Sequence, residues 1–183
     1  MPVTDQALML SVQAGDPSPF SELVDRYRPR LLRFACSALY NRDSAEDLVQ
    51  ETFLAVFQAR HTYDPTFAVS TWVWTIHLNL VRRTRQRLST RIRHESRCSP
   101  RSLAPTDYRD EDREQLNAWL AQIPEAEADA LRLRFFGELT FEQIALSMES
   151  SLGGAKLRVK NGLQRIAVLA QVDSSPQPAR GSS

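Results

Sequence analysis

Asp47, Gln50, Glu51 and Leu54 recur at three- and four-residue steps, so on a helix two carboxylates, an amide and a leucine share one strip. Such a strip can be a solvated helix side or can dock on a basic helical partner. Paired carboxylates can also bind metal or move protons, but that chemistry needs a ligand or proton partner beside them. His61, His77 and His94 are scattered, and no second helix offers a Glu-x-x-His set. No catalytic centre, metal site or cofactor is expected. A second constellation joins Ser70, Thr71, Trp72 and Trp74 to Asn79, Arg82, Arg83, Arg85 and Arg87. Aromatics beside guanidiniums suit stacking on unpaired bases and gripping phosphates. Trp72 and Trp74 are two apart and point to different sides of a helix; Trp72 is expected to pack and Trp74 to lie near the surface. A third set, Gly153, Gly154, Lys156, Leu157, Arg158 and Lys160, opens a helix that follows a short turn. Its form is that of a helix-turn-helix DNA reader, whose second helix enters the major groove by its N-terminal part. Gly154, Lys156 and Leu157 would then lie nearest base edges, with Arg158 and Lys160 reaching bases or phosphates. An ordinary helical hairpin with a solvated basic face has the same pattern.

The elements that must carry these side chains all read as helices. Apolar residues recur at helical spacing, and alternating strand-like runs and Asn-Gly or Asp-Gly hairpin signals are missing. A first helix is predicted over 5–14, capped by Thr4 and stopped by Gly15. A second follows Pro17 or Pro19 and carries Phe20, Leu23, Val24, Tyr27, Leu31, Phe34, Ala35 and Leu39 as one stripe, with Pro29 as a kink site. The acidic helix is expected to open at Asp43 with a capping box to Glu46, bury Leu48, Val49, Thr52 and Phe53, and break at Asp64-Pro65. The Trp/Arg helix begins near Ser70 and loses its periodicity from Leu88. Further on, helices are predicted over 111–121, from Ile123-Pro124 to Gly137, from a Thr140/Gln143 capping box, and after a turn over 149–151.

The fold class expected is all-α: two small helical domains joined by a flexible basic linker, the second containing the helix-turn-helix. The boundaries are 1–88, a linker over 89–110 rich in Ser, Arg and Pro, 111–173, and a polar tail over 174–183 taken as disordered. The 183 residues are 42% apolar, enough for a core in either domain, and carry a net charge of only +1. Nucleic-acid binding therefore has to rest on where charges sit, and they sit unevenly: arginines gather in the Trp/Arg helix and early linker, acids at the linker's end. No apolar run reaches membrane-span length and the N-terminus has no signal-peptide pattern, so a cytoplasmic location without membrane insertion is expected. Cys36 and Cys98 match no metal spacing and are expected to be incidental free thiols.

Taken in order, these motifs resemble the bacterial sigma factors of the extracytoplasmic-function group. The run from Ala45 to Phe53 (AEDLVQETF) is similar to that family's segment for the clamp-helix coiled coil of RNA polymerase. Ser70 to Ile76 with Asn79 resembles its promoter-melting segment, and Leu139 to Ala145 the first helix of its -35 reader. The resemblance implies a promoter-specificity subunit with core RNA polymerase and promoter DNA as partners, together with an anti-sigma factor. It implies that Asp47, Gln50, Glu51 and Leu54 meet polymerase. The loop from His61 to Ser70 and the start of the next helix, with Ser70, Thr71, Trp74, Asn79, Arg82 and Arg83, would handle the opened -10 element. Gly154, Lys156, Leu157, Arg158 and Lys160 would serve the -35 element. Three departures stand out. Arg83 occupies a usually acidic position, Glu149-Ser150 replaces a turn glycine and apolar residue, and the Gly153-Gly154 pair is expected to fray the reading helix or delay its start. The competing reading from residues alone is a dimeric helix-turn-helix regulator that never docks on polymerase. An enzyme is disfavoured because no nucleophile–base pair can be named.

Overall fold

The computed structural model describes residues 3–95 and 111–173, with side chains described over 3–89 and 114–173. Cys98, Arg97, Arg101, most of the expected linker and the tail over 174–183 lie outside the described residues. Every regular element among the described residues is helical. Helix α1 (Asp5–Gln13) starts where the Thr4 hydroxyl accepts the Ala7 N–H, and it stops before Gly15, whose φ of +109° only glycine adopts without strain. Helix α2 (Phe20–Leu39) buries Leu23, Tyr27, Leu31, Phe34, Ala35 and Leu39, the predicted stripe, while Pro29 sits inside the helix on its exposed side. A proline there leaves one carbonyl without its helical partner, and only a solvent-facing position lets water satisfy it.

Helix α3 (Arg42–Gln58) begins a residue earlier than the spacing predicted, with Asn41 as its cap accepting the Ser44 N–H. Glu46 does not close a capping box; it pairs with Arg42 at 3.0 Å. A 3-10 turn (Arg60–Thr62) and a loop lead into α4 (Val69–Glu95). That helix runs seven residues past Leu88 (95 − 88), so the first part of the expected linker is helical. Arginine and glutamine are good helix formers, and loss of an apolar stripe ends burial without ending the helix.

The second half contains α5 (Glu111–Gln122), α6 (Glu125–Phe135), α7 (Phe141–Ser147) and α8 (Leu152–Asp173). The predicted capping box of α7 is present in full: Thr140 Oγ1 accepts the Gln143 N–H at 3.2 Å, and Gln143 Oε1 accepts the Thr140 N–H at 2.9 Å. In α6, Ala128, Leu131 and Leu133 are buried and Phe136 beyond its end is partly buried, whereas Phe135 is 59% exposed.

The two halves do not stand apart. One continuous apolar core runs from Leu8 and Met9 through Phe34, Trp74 and Leu78 to Leu133, Ile144 and Val159. Helix α7 packs on α4, and α6 on α2. At the seam, Gly137 lies so close to its neighbours that an added Cβ would stand 2.6 Å from the Leu133 carbonyl oxygen and 3.2 Å from the Trp74 ring. The glycine thus serves a close approach between the halves, while the left-handed turn that ends α6 falls on Glu138, at φ +57°.

Candidate nucleic-acid interface

Helix α3 sorts its residues as an amphipathic helix must. Ala45, Leu48, Val49, Thr52 and Val56 are buried, so Asp47, Gln50, Glu51 and Leu54 emerge together on the opposite, exposed face. Leu54, at 62% exposed, sits bare beside the two carboxylates. Neither Asp47 nor Glu51 forms an ion pair among the described residues, so the strip presents unneutralised negative charge around an apolar tip.

Helix α4 places its residues differently from expectation at one important position. Trp74 is fully buried, its ring 5.5 Å from a tilted Phe34 and from an edge-on His77 and covered by Gly137. Trp72 packs as expected, partly buried against the core and tilted over Tyr63 at 5.4 Å beside the 63–68 loop. The expectation that Trp74 lies near the surface is therefore corrected. The sequence argument assumed one buried face for this helix, but α2 and α3 cover one side and the second half covers another. Ser70 and Thr71 also meet the second half. Gln143 Nε2 donates to Ser70 Oγ at 2.9 Å, and the Ser147 hydroxyl donates to the Thr71 carbonyl at 3.4 Å. Thr71 is only 6% exposed. Asn79 and Arg83 project into solvent on successive turns, and Arg82 is partly covered, its Nε 4.0 Å from Asp129.

The reader half keeps its leading face open. Helix α8 starts at Leu152, so Gly153 and Gly154 lie inside its first turn and the expected fraying or late start is not what the chain does. Ser151 accounts for this: its hydroxyl oxygen accepts the Gly154 N–H at 3.1 Å, and its carbonyl accepts the Ala155 N–H. Lys156, Leu157 and Lys160 are exposed, while Gly154 and Arg158 are partly covered. The preceding turn closes α7 with two bonds, Ser150 N–H to the Ala145 carbonyl and Glu149 N–H to the Leu146 carbonyl. That is a Schellman end, and it forces Glu149 to φ +51°, where glycine is normally found.

Asp129 and Arg132 were not singled out from the sequence, and Arg85, expected among the phosphate-gripping arginines, is instead engaged by acids of the second half. Asp129, 1% exposed, receives Arg85 through two bonds of 2.9 and 3.1 Å and Arg132 through one of 3.3 Å. Arg85 also bonds Glu125 and the Ala38 carbonyl, and Arg132 bonds Ser37 by its hydroxyl and its carbonyl. Burial pulls down the pKa of both guanidiniums, but for Arg85 the bonds and charge of Asp129 and Glu125 outweigh it and hold the value above normal. Arg132 ends below normal, through burial first and then the like charge of Arg85, because it receives the smaller share of the carboxylate. An Arg85 in the basic run and an Asp129 among alanines carry no sequence sign that they meet across the seam. Among the described residues no cluster of three potential metal ligands occurs, and no helix is long and apolar enough to cross a membrane.

Comparison with known proteins gives this geometry its context. The chain matches the family profile for Sigma-70 region 2 over residues 23–97 and that for Sigma-70 region 4 over residues 119–167. It is 30% identical over 158 residues to the RNA polymerase sigma factor CarQ of Myxococcus xanthus, covering 85% of this chain and 91% of that protein. To the ECF RNA polymerase sigma factor RpoE of Cereibacter sphaeroides it is 29% identical over 172 residues, covering 87% and 91%. Among solved structures, CnrH in complex with the cytosolic domain of CnrY superposes with a TM-score of 0.74 at 20% identity, covering 93% of this chain and 99% of that one. RpoE of Bartonella quintana, solved with the anti-sigma factor NepR, gives 0.72 at 22% identity, covering 84% and 98%. These two likenesses concern the fold. The region 2 match accounts for the acidic and Trp/Arg helices, which a dimeric regulator has no use for, and sets that reading aside. The chain belongs to the extracytoplasmic-function group of bacterial RNA polymerase sigma factors, the subunits that give the polymerase its promoter specificity.

Proposed function

We propose that the exposed α3 strip of Asp47, Gln50, Glu51 and Leu54 docks this subunit on core RNA polymerase, and that the two halves then divide the promoter between them. The observation that carries this reading is the strip itself: two unpaired carboxylates flanking an exposed leucine on an otherwise well-packed helix. Such a surface fits a basic, partly apolar helical partner better than it fits solvent. The loop over 61–68 and the start of α4, with Ser70, Thr71, Asn79, Arg82 and Arg83, handles the opened -10 element, where unstacked bases are held by stacking and phosphates by guanidiniums. The start of α8, with Gly154, Lys156, Leu157, Arg158 and Lys160, reads the -35 duplex through the major groove. The working units are 1–88 and 111–173, joined by 89–110. Because α7 lies over Ser70 and Thr71, the halves part before the first unit takes hold of an opened strand. Relatives solved with anti-sigma partners support a similar inhibitor for this chain, and its place of action is the cytoplasm. The protein supplies no catalytic centre of its own; bond making is left to the polymerase.

The test is run-off transcription with purified core polymerase on the promoter of the protein's own operon. Asp47→Arg is expected to lower product at least tenfold by weakening core binding, with binding to a -35 duplex unchanged. Lys156→Ala is expected to do the reverse, weakening duplex binding and flattening its salt dependence while core binding stays intact. Core binding unaffected by Asp47→Arg would remove the strip from the interface.

A further inference from the structure

The loop over 61–68 has an unusual backbone economy. Its carbonyls at positions 61, 63, 65 and 67 are all taken by side chains. Gln13 Nε2 donates to the Tyr63 carbonyl at 3.0 Å and to the His61 carbonyl at 3.4 Å. Gln6 Nε2 donates to the Pro65 carbonyl at 2.9 Å, and the Tyr63 hydroxyl donates to the Phe67 carbonyl at 2.8 Å. Asp64 accepts the Thr66 N–H at 2.9 Å and tightens the bend between them. Only Tyr63 of this loop is buried; the residues around it are exposed, and Phe67 keeps 48% of its surface in solvent. The two glutamines come from α1, which is itself anchored to α2: Asp5 accepts from Arg26 and, at 2.6 Å, from the Tyr27 hydroxyl. Gln6 and Gln13 are seven apart, two helical turns, so both point the same way from one rigid rod.

We propose that α1 is the brace of the strand-capturing loop and that Gln6 and Gln13 are positioning residues for promoter opening. The inference rests on the reading that this loop handles the opened -10 strand. A base leaving the duplex gives up its stacking and pairing, so the surface receiving it works best when it is already in shape. A loop ordered only on capture would lose its backbone entropy at that moment and weaken capture accordingly. The glutamines remove that cost beforehand through neutral N–H donors, which hold the carbonyls in and add no charge that would compete for phosphate. They lie on a different element from the α3 strip and from α8, so the brace acts on strand capture alone.

The test uses the full chain with core polymerase and a promoter that yields run-off product. Gln6→Met and Gln13→Met keep side-chain length and lose the donors. Three affinities are read: for core polymerase, for the -35 duplex, and for a fluorescent single strand carrying the -10 segment. Permanganate reactivity of the -10 thymines reports opening. In the double variant, single-strand affinity and permanganate reactivity are expected to fall about tenfold, with core and duplex binding within twofold, a split that loss of fold stability would not produce. Equal capture by the double variant and the unaltered chain overturns the brace. Equal loss in all three affinities also overturns it, by reducing the glutamines to ordinary fold support. An unaltered holoenzyme that opens the promoter but ignores the single strand overturns the loop reading, and the brace with it.

Discussion

His77 shows how much one side chain can fix. The Thr52 hydroxyl donates to the Leu48 carbonyl at 2.8 Å, and its oxygen shares a 2.9 Å hydrogen bond with His77 Nδ1. The imidazole lies edge-on to Phe34 and Trp74. Complete burial pushes its pKa down to about 3. Between the ordinary histidine value near 6.5 and that figure, the unfolded chain holds a proton that the folded chain refuses. Stability contributed by this site is present above about pH 6.5 and declines as pH falls, by about 1.4 kcal/mol for each unit below it. Urea denaturation at pH 7.5 and 5.5 checks this: the unaltered chain is expected to lose about 1.4 kcal/mol more than His77→Gln over that interval. Reading the sequence placed His77 among scattered histidines because a histidine gives no sign of burial until its neighbours are known. The same limit misplaced Trp74. Helical periodicity states which residues share a face, but it does not state how many faces the finished molecule will cover.

At the scale of elements, local chemistry was the most legible part. The Thr4 cap, the α2 stripe, the Thr140/Gln143 box and the exposed α3 strip follow from residues within a turn or two of one another. Errors arose where two local signals competed. Asn41 outbid Asp43 as the cap of α3, and Ser151 offset the helix-weakening pair Gly153-Gly154. Glu149 is the opposite case, a departure from the family pattern whose cost is visible in the backbone. A residue with a Cβ at φ +51° costs about 1 kcal/mol relative to glycine, and the Schellman bonds hold it there. Glu149→Gly is therefore expected to raise stability by about 0.5–1 kcal/mol, read as a higher urea midpoint at unchanged m-value. Since Glu149 is exposed and precedes the reading helix, affinity for the -35 duplex should not fall with the change.

At the scale of the whole molecule, the seam was the least legible feature. A Ser/Arg/Pro-rich stretch was the expected break between two helical halves, and nothing within either half tells that they pack together. The contacts that do so, Arg85 with Asp129, Arg132 with Ser37, Gln143 with Ser70, and Gly137 with Trp74, join residues 44 to 95 positions apart whose groups look solvent-bound in isolation. Asp129 holds the cluster because removing it leaves two buried guanidiniums facing each other. Asp129→Ala is expected to cost about 3 kcal/mol in urea denaturation, close to the penalty for breaking a buried ion pair. Arg132→Met, which removes the more strained cation and keeps the Arg85–Asp129 pair, should cost clearly less.

Trp74 adds an optical consequence to this seam. Its ring lies against Gly137 of the other half, and its indole Nε1 is buried with no hydrogen-bond partner among the described residues. An indole in so dry a place emits at short wavelength, and its emission moves to the red once water reaches the nitrogen. The same residue that closes the core between the halves is thus a built-in gauge of their separation, readable without a label as polymerase is added.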